Sequence, residues 1–346
     1  MRVKRWGAVP ALPAAALACI LLAGCGGSQP GAAGNSITLY SGQHPQTTDK
    51  LIAAFEKRTG ITVNVRSDDE DVLAEQIVTE GSRSPADVFY AENTPALQFL
   101  QDKGLLSSVK PATLAATPAR YDSPQGAWVG VSARVSVLIY NPSRIARGQL
   151  PSSVMQLADP KYTGKLALAA GETDFQPIVT SVLRAHGKPA TLTWLAGLKA
   201  NAAGHSYPSS ETVAGDVNRG TAAFGVINQY YWYRMRAEIG AAATPSKLAY
   251  FAPRDPGYVI DVSAAAVLKS SAHQAAAQKF VAFLVSKQAQ EIIGAQSASY
   301  EYPLAAGVTT AAPETPFSQL QPDPITVGEL GDGSPAITLL QQAGLL

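Results

Sequence analysis

Cysteine is nearly absent from this chain, with two in 346 residues, which excludes a disulfide scaffold and a cysteine-rich zinc or iron–sulfur protein. An excess of either charge is also missing: 27 Lys and Arg stand against 26 Asp and Glu, for a formal net charge of +1. A nucleic-acid binder would show a basic surplus and basic clusters, so that class is not expected. Histidine is limited to His44, His186, His205 and His273. There is no Gly-x-Ser-x-Gly elbow, no His-Glu-x-x-His and no glycine-rich phosphate loop, so an enzyme is not expected. Beyond the first residues no apolar run approaches membrane-spanning length, and no internal repeat is visible. What is present is apolar material for sizeable cores, 46% of the chain, in a length that allows one large domain or two lobes.

Residues 1–24 read as a signal peptide. Arg2, Lys4 and Arg5 give a basic start, and an Ala/Leu-rich run interrupted by Pro10 and Pro13 follows. The run ends in Leu22-Ala23-Gly24-Cys25, which resembles the lipobox of bacterial lipoproteins. That resemblance implies lipidation of Cys25, palmitate included, and a new N-terminus there; the plain alternative is an ordinary signal peptide with an incidental cysteine. Residues 25–35 hold a Gly/Ser/Pro-rich stretch that reads as a tether from a lipid anchor to a soluble domain. The expected location is the extracytoplasmic face of the cell membrane. Removing the leader takes three basic groups with it and leaves a slightly acidic chain whose remaining cysteine belongs to the anchor.

The folded part begins as a βαβ series. Ile37–Tyr40 is a short strand, and Leu51, Ile52 and Phe55 recur at helical spacing before Gly60. Ile61, Val63 and Val65 alternate, Val72, Leu73, Gln76 and Ile77 form another helical stripe, and Ala86–Tyr90 is a third strand. The series predicts an α/β fold with a parallel sheet covered on both faces. Trp128–Tyr140 reads as a strand-rich stretch ending at Asn141-Pro142, a crossing point. Lys165–Ala169 is a strand running into Gly171-Glu172-Thr173-Asp174 and a helix from about Phe175. Asp174 is one reading of its N-cap, and Thr173 with Gln176 is a competing capping box. Phe224–Ile227 is a further strand, and Ala275–Gln290 reads as one helix with Phe280, Phe283 and Leu284 on its apolar side.

Two α/β units with the chain crossing between them place a ligand where strand ends meet. Three such ends carry chemistry: His44 after the first strand, Glu92 after the third, and Tyr230-Tyr231 after Phe224–Ile227. An imidazole, a carboxylate and two phenols, without a thiolate, suit a hard cation. A phenol with an ordinary pKa of about 10 ionises at neutral pH only beside strong positive charge, which a bound cation supplies. A trivalent ion balances two phenolates and one carboxylate, so ferric iron is the natural candidate. Each residue also has a plain reading: His44 as a surface turn residue, Glu92 as the leader of a helix starting near Asn93, and the aromatic run as packing or a stacking platform. Adjacent tyrosines can share one ion only from a loop or a helix start, because on a strand they point apart.

From about Ser36 to the C-terminus the chain resembles the periplasmic-type ferric-iron-binding proteins, the solute-binding components of ABC importers. The resemblance rests on Leu39-Tyr40-Ser41-Gly42-Gln43-His44, Pro85–Glu92, Ile227–Trp232, Asp255-Pro256-Gly257, Ser263–Ser271 and Tyr300–Leu304. It implies a two-lobed periplasmic-binding-protein fold of type II, with one lobe at 36–135 and 260–346 and the other at 136–259, closing on the ion. His44, Glu92, Tyr230 and Tyr231 stand where the family ligates iron. The best-known branch adds a phosphate or carbonate held by a helix start and two asparagines. Asn228 matches one of these, and Ser210 or a neighbour stands at the other position. The helix start here carries Glu172 and Asp174, which would repel a free anion and supply negative charge themselves. Arg134 stands where the family has a cleft arginine, to orient Glu92 or an anion, its plain reading being a surface salt bridge. The implied partners are a membrane permease and its ATPase, with the receptor acting as a monomer. The rival within the same fold is a small organic solute such as thiamine or a polyamine.

Overall fold

The computed structural model describes residues 35–295, 299–310 and 315–346. The leader, Cys25 and all of the tether except Asn35 lie outside the described residues. Ten strands are present among them: β1 (Ser36–Ser41), β2 (Thr62–Ser67), β3 (Val88–Ala91), β4 (Leu106–Ser107), β5 (Trp128–Tyr140), β6 (Leu166–Ala167), β7 (Phe224–Asn228), β8 (Lys247–Ala249), β9 (Ile260–Leu268) and β10 (Tyr302–Pro303). Between them run α1 (Pro45–Thr59), α2 (Glu70–Glu80), α3 (Thr94–Asp102), α4 (Pro111–Leu114), α5 (Gln176–Asn201), α6 (Ser210–Arg219), α7 (Gln229–Ile239), α8 (Gln274–Leu284), α9 (Lys287–Gly294), α10 (Val327–Leu330) and α11 (Ser334–Ala343).

Along the sheet the strands run β2-β1-β3-β9-β5-β7-β6. β1 pairs in parallel with β2 and β3, and β6 pairs in parallel with β7, as βαβ connections require. The parallel pairing expected from the βαβ series holds for β1, β2 and β3, and beyond it β9 lies antiparallel between β3 and β5. Its direction is fixed by the chain's return over a long distance, which local sequence does not encode. β5 is the spine. Its 13 residues are buried throughout, with Val129, Val131, Ala133, Val135, Val137 and Ile139 on one face and Ser132, Arg134 and Ser136 among the residues on the other. Residues 128–135 pair with β9, and residues 136–140 pair with β7 and β8. The change of neighbour falls between Val135 and Ser136, and Ile260 lies opposite Val135 at the matching point of β9.

The helices follow their sequence signals. α1 starts with Pro45 in its first turn and stops at Gly60, whose φ of 69° gives the left-handed cap while its N–H reaches the Glu56 carbonyl. Leu51, Ile52 and Phe55 are its buried apolar residues, and Phe55 meets Phe280 of α8 edge to face at 5.0 Å. The single helix expected over Ala275–Gln290 is two, because Ser286 caps a new start by accepting the Ala289 N–H. α5 is interrupted at Gly187, with a φ of 75°. α10 touches both α3 and α5, and α11 lies along α5. No helix among the described residues is long and apolar enough to cross a membrane.

Candidate metal centre

Four loops converge beside the Val135–Ser136 junction. His44 ends the turn after β1, a turn that lies so close to α2 that a Cβ on Gly42 would sit 2.6 Å from the Glu70 Cβ. Glu92 follows β3, Asp174 lies in the one-turn helix Thr173–Phe175 ahead of α5, and Tyr230 and Tyr231 open α7 directly after β7. A helix start is the geometry that lets adjacent tyrosines face one point. Their ring centroids are 4.0 Å apart, and the His44 ring meets both edge-on at 5.5 and 5.9 Å.

The donor atoms form a compact triangle. His44 Nε2 is 2.9 Å from Tyr230 Oη and 3.2 Å from Glu92 Oε1, and the Tyr230 hydroxyl donates to Glu92 Oε1 at 2.6 Å. The Tyr231 hydroxyl donates to Asp174 Oδ2 at 3.0 Å. Metal–ligand bonds of about 2.1 Å in an octahedron set neighbouring donors about 3 Å apart, so the triangle has the size of one octahedral face. Among the described residues no three His, Cys, Asp or Glu groups could hold an ion by themselves, so a cage here needs the phenols.

Electrostatics prepare the site for positive charge. Burial raises the Glu92 carboxyl, but His44 and Arg134 outweigh it and bring Glu92 down to about 2. Burial pulls His44 down, and the Glu92 charge more than restores it, so its pKa is raised overall. Burial pushes both phenols well above their ordinary value, with Glu92 next for Tyr230 and Asp174 next for Tyr231. Without an ion, both tyrosines therefore keep their protons.

Arg134 is completely buried in the middle of β5, which corrects its reading as a surface salt bridge. Its Nη2 is 3.2 Å from Asp174 Oδ1 and 3.8 Å from Glu92 Oε1, and its Nη1 donates to Ser263 Oγ at 2.8 Å. The N-cap reading of Asp174 is likewise corrected. Its carboxylate accepts from Arg134, from Tyr231 and from Asn93 Nδ2 at 3.0 Å, so it faces the site rather than its own helix. Thr173 Oγ1 accepts from the same Asn93 amide at 3.2 Å. Glu172 turns away to accept the Ser210 hydroxyl, and burial, with Asp174 nearby, pushes its carboxyl up to about 8. Ser210 is thus committed to Glu172. Asn228 is buried at the end of β7, its Oδ1 3.5 Å from Ser136 Oγ, and with Ser210 it lines a separate cavity of only about 10 Å³.

Access is through a cavity of about 500 Å³ lined by His44, Glu92, Glu172, Thr173, Asp174 and Tyr231, with Asp68, Asp69, Glu70 and Glu211 on its walls. Sequence reading missed the buried polar groups behind the ligands: Gln43, Glu70, Asn93 and Glu301. It also missed Arg234, whose guanidinium lies 5.0 Å from the Tyr230 ring centroid; its place one turn after Tyr230 on the same helix was the available signal.

A family model described as bacterial extracellular solute-binding protein matches residues 83–323. An Fe(3+)-binding periplasmic protein of Serratia marcescens is 36% identical over 320 residues, covering 92% of this chain and 94% of the relative. A major ferric iron-binding protein of Neisseria meningitidis is 36% identical over 312 residues, covering 89% and 93%. Among solved structures, iron-bound HitA from Pseudomonas aeruginosa superposes with a TM-score of 0.85 at 38% identity, covering 89% of this chain and 99% of that one.

Proposed function

The chain belongs to the bacterial extracellular solute-binding proteins, with their two-lobed type II fold, and from that premise we propose that it captures ferric iron and delivers it to an ABC permease and its ATPase. It is a transport protein of the extracytoplasmic side, not an enzyme. His44, Glu92, Tyr230 and Tyr231 are the proposed ligands. The triangle of His44 Nε2, Glu92 Oε1 and Tyr230 Oη carries the reading, because its size and its oxygen-rich chemistry both suit a hard trivalent ion. Two phenolates and Glu92 would neutralise that ion.

Asp174 is proposed to complete the shell in place of phosphate or carbonate. Support comes from its carboxylate, already 3.0 Å from the Tyr231 hydroxyl and held by Arg134 and Asn93, and from the carboxylates lining the cavity, which disfavour a free anion. Glu172 is less suited, because it is pushed up to about 8 and turned toward Ser210. An organic cation would need an open ring face. Tyr231, Arg234 and Arg134 already crowd the Tyr230 ring, at 4.0, 5.0 and 6.0 Å, and the two guanidinium charges oppose a further cation there, so the iron reading is favoured over thiamine or a polyamine.

We assign 36–135 with 260–346 to one lobe and 136–259 to the other, with the two parts of β5 as a hinge, acting as a monomer held at the membrane by lipidated Cys25. Ferric iron added to the apoprotein should give a visible phenolate-to-iron band that weakens in Tyr231→Phe. A protein that stays colourless and retains no iron would refute the reading. Cys25→Ser should move the protein from the membrane fraction to the soluble one, and unchanged partitioning would reject the anchor.

A further inference from the structure

Behind the donor atoms lies a buried polar network that the iron chemistry does not itself require. Gln43, Ser132, Ser263 and Glu301 are at most 2% exposed. Glu301 Oε1 accepts from Gln43 Nε2 at 3.1 Å and Oε2 accepts the Ser132 hydroxyl, while the Gln43 amide also donates to Ser263 at 2.8 Å. The other end of that amide is aimed at a ligand: Gln43 Oε1 accepts the backbone N–H of His44 at 2.7 Å. Glu301 therefore fixes Gln43, and Gln43 fixes the backbone that carries His44.

The residue next to Glu301 makes the corresponding connection to the tyrosines. The Tyr300 carbonyl accepts from Gln229 Nε2 at 3.2 Å, and Gln229 Oε1 accepts the Val135 N–H at 2.8 Å. Gln229 is fully buried, immediately precedes Tyr230, and is thereby tied to the point where β5 changes neighbours. The Tyr300 ring stacks on Tyr233 of the same helix, at 6.3 Å and 13°. Tyr300 holds a φ of 60°, a left-handed conformation that costs a non-glycine residue energy and persists where surrounding contacts enforce it.

We propose that Tyr300 and Glu301 form a positioning element for the ion site, Glu301 orienting His44 through Gln43 and Tyr300 orienting the tyrosine pair through Gln229. This rests on the iron reading above and adds to it the parts that bring ligands from both sides of the β5 junction into register. Neither residue is among the proposed ligands. A donor set spread over four loops must be held to a fraction of an ångström before the ion arrives, and buried amides hydrogen-bonded at both ends provide that rigidity.

The test is a double-mutant cycle on ferric affinity, measured by chelator competition, with the visible band as second readout. Gln43→Met keeps the side-chain length but loses its hydrogen bonds. It should weaken affinity about tenfold when His44 is present and change it less than about twofold in a His44→Ala background, leaving the band maximum in place. Gln229→Met should shift the band in both backgrounds. Tyr233→Leu, at a partly buried position, should shift it in the same direction and serves if the buried variants do not fold. Equal losses for Gln43→Met in both backgrounds would overturn the positioning role of Glu301, and an unmoved band in Gln229→Met and Tyr233→Leu would overturn that of Tyr300. A wild-type protein that shows no band with ferric iron would overturn the iron reading itself, a result distinct from either.

Discussion

Loading the cleft with ferric iron at controlled pH tests whether the two phenols surrender their protons. Both tyrosines are buried and their pKa values are raised, first by burial and then by neighbouring carboxylates, so the apoprotein holds both protons throughout the neutral range. A ligand that must lose its proton makes affinity rise with pH by one factor of ten per unit per proton released. Two phenols therefore predict about a hundredfold gain per pH unit, or about 2.7 kcal/mol. His44, with its raised pKa, adds a third proton on the acid side, so the slope steepens toward three as pH falls through the His44 range. Glu92, held at about 2, adds none. The assay is competition against a chelator of known proton stoichiometry, which cancels hydrolysis of the free ion, at several pH values between 6 and 8. Tyr231→Phe should lower the slope by one. A corrected affinity that is flat with pH, or a slope unchanged in Tyr231→Phe, would refute the reasoning.

Asp174→Asn should weaken iron binding in the absence of any added anion, and wild-type affinity should not depend on phosphate or carbonate. Strong anion dependence of the wild type, measured in anion-free buffer with and without each salt, counts against Asp174 as a ligand. Arg134→Met should destabilise the apoprotein by about 3–5 kcal/mol in denaturant unfolding, because it leaves Glu92 and Asp174 buried without their common partner. Iron should recover much of that loss, and an equal deficit with and without iron would contradict the charge argument. Burial raises Asp261 from 3.8 to about 8 despite nearby Arg134, so the folded state takes up a proton there. That contribution to stability is complete below about pH 4 and falls as pH rises toward 8, by an amount on the order of several kcal/mol. Asp261→Asn should flatten this part of the stability profile, and an unchanged slope would show that another group is responsible.

What the sequence made legible was what is local. Trp128–Tyr140 was legible as strand, because Val129, Val131, Ala133, Val135, Val137 and Ile139 alternate along one face and the stretch ends at Asn141-Pro142. His44, Glu92, Tyr230 and Tyr231 were found because each follows a recognisable strand, and the structure brings all four together with Asp174. Burial of charge was not legible. Arg134 alternates with small residues as a surface group would, and the partners that allow its burial lie 40 and 129 residues away. Gln43 and Glu301 meet across 258 residues, which leaves no local trace. Ser286 did signal the break between α8 and α9, but the apolar stripe on either side reads through it.

The antiparallel seating of β9 between β3 and β5 governs the order in which the molecule can assemble. While residues 136–259 are still being made or exported, β3 and the first part of β5 have no strand between them. Their edges, which carry some of the most deeply buried side chains of the finished protein, stay open to any strand that arrives. The contacts that close them join residues far apart in sequence, and such contacts form slowly. β3 and the first part of β5 therefore gain their shared neighbour only after residues 136–259 have been made.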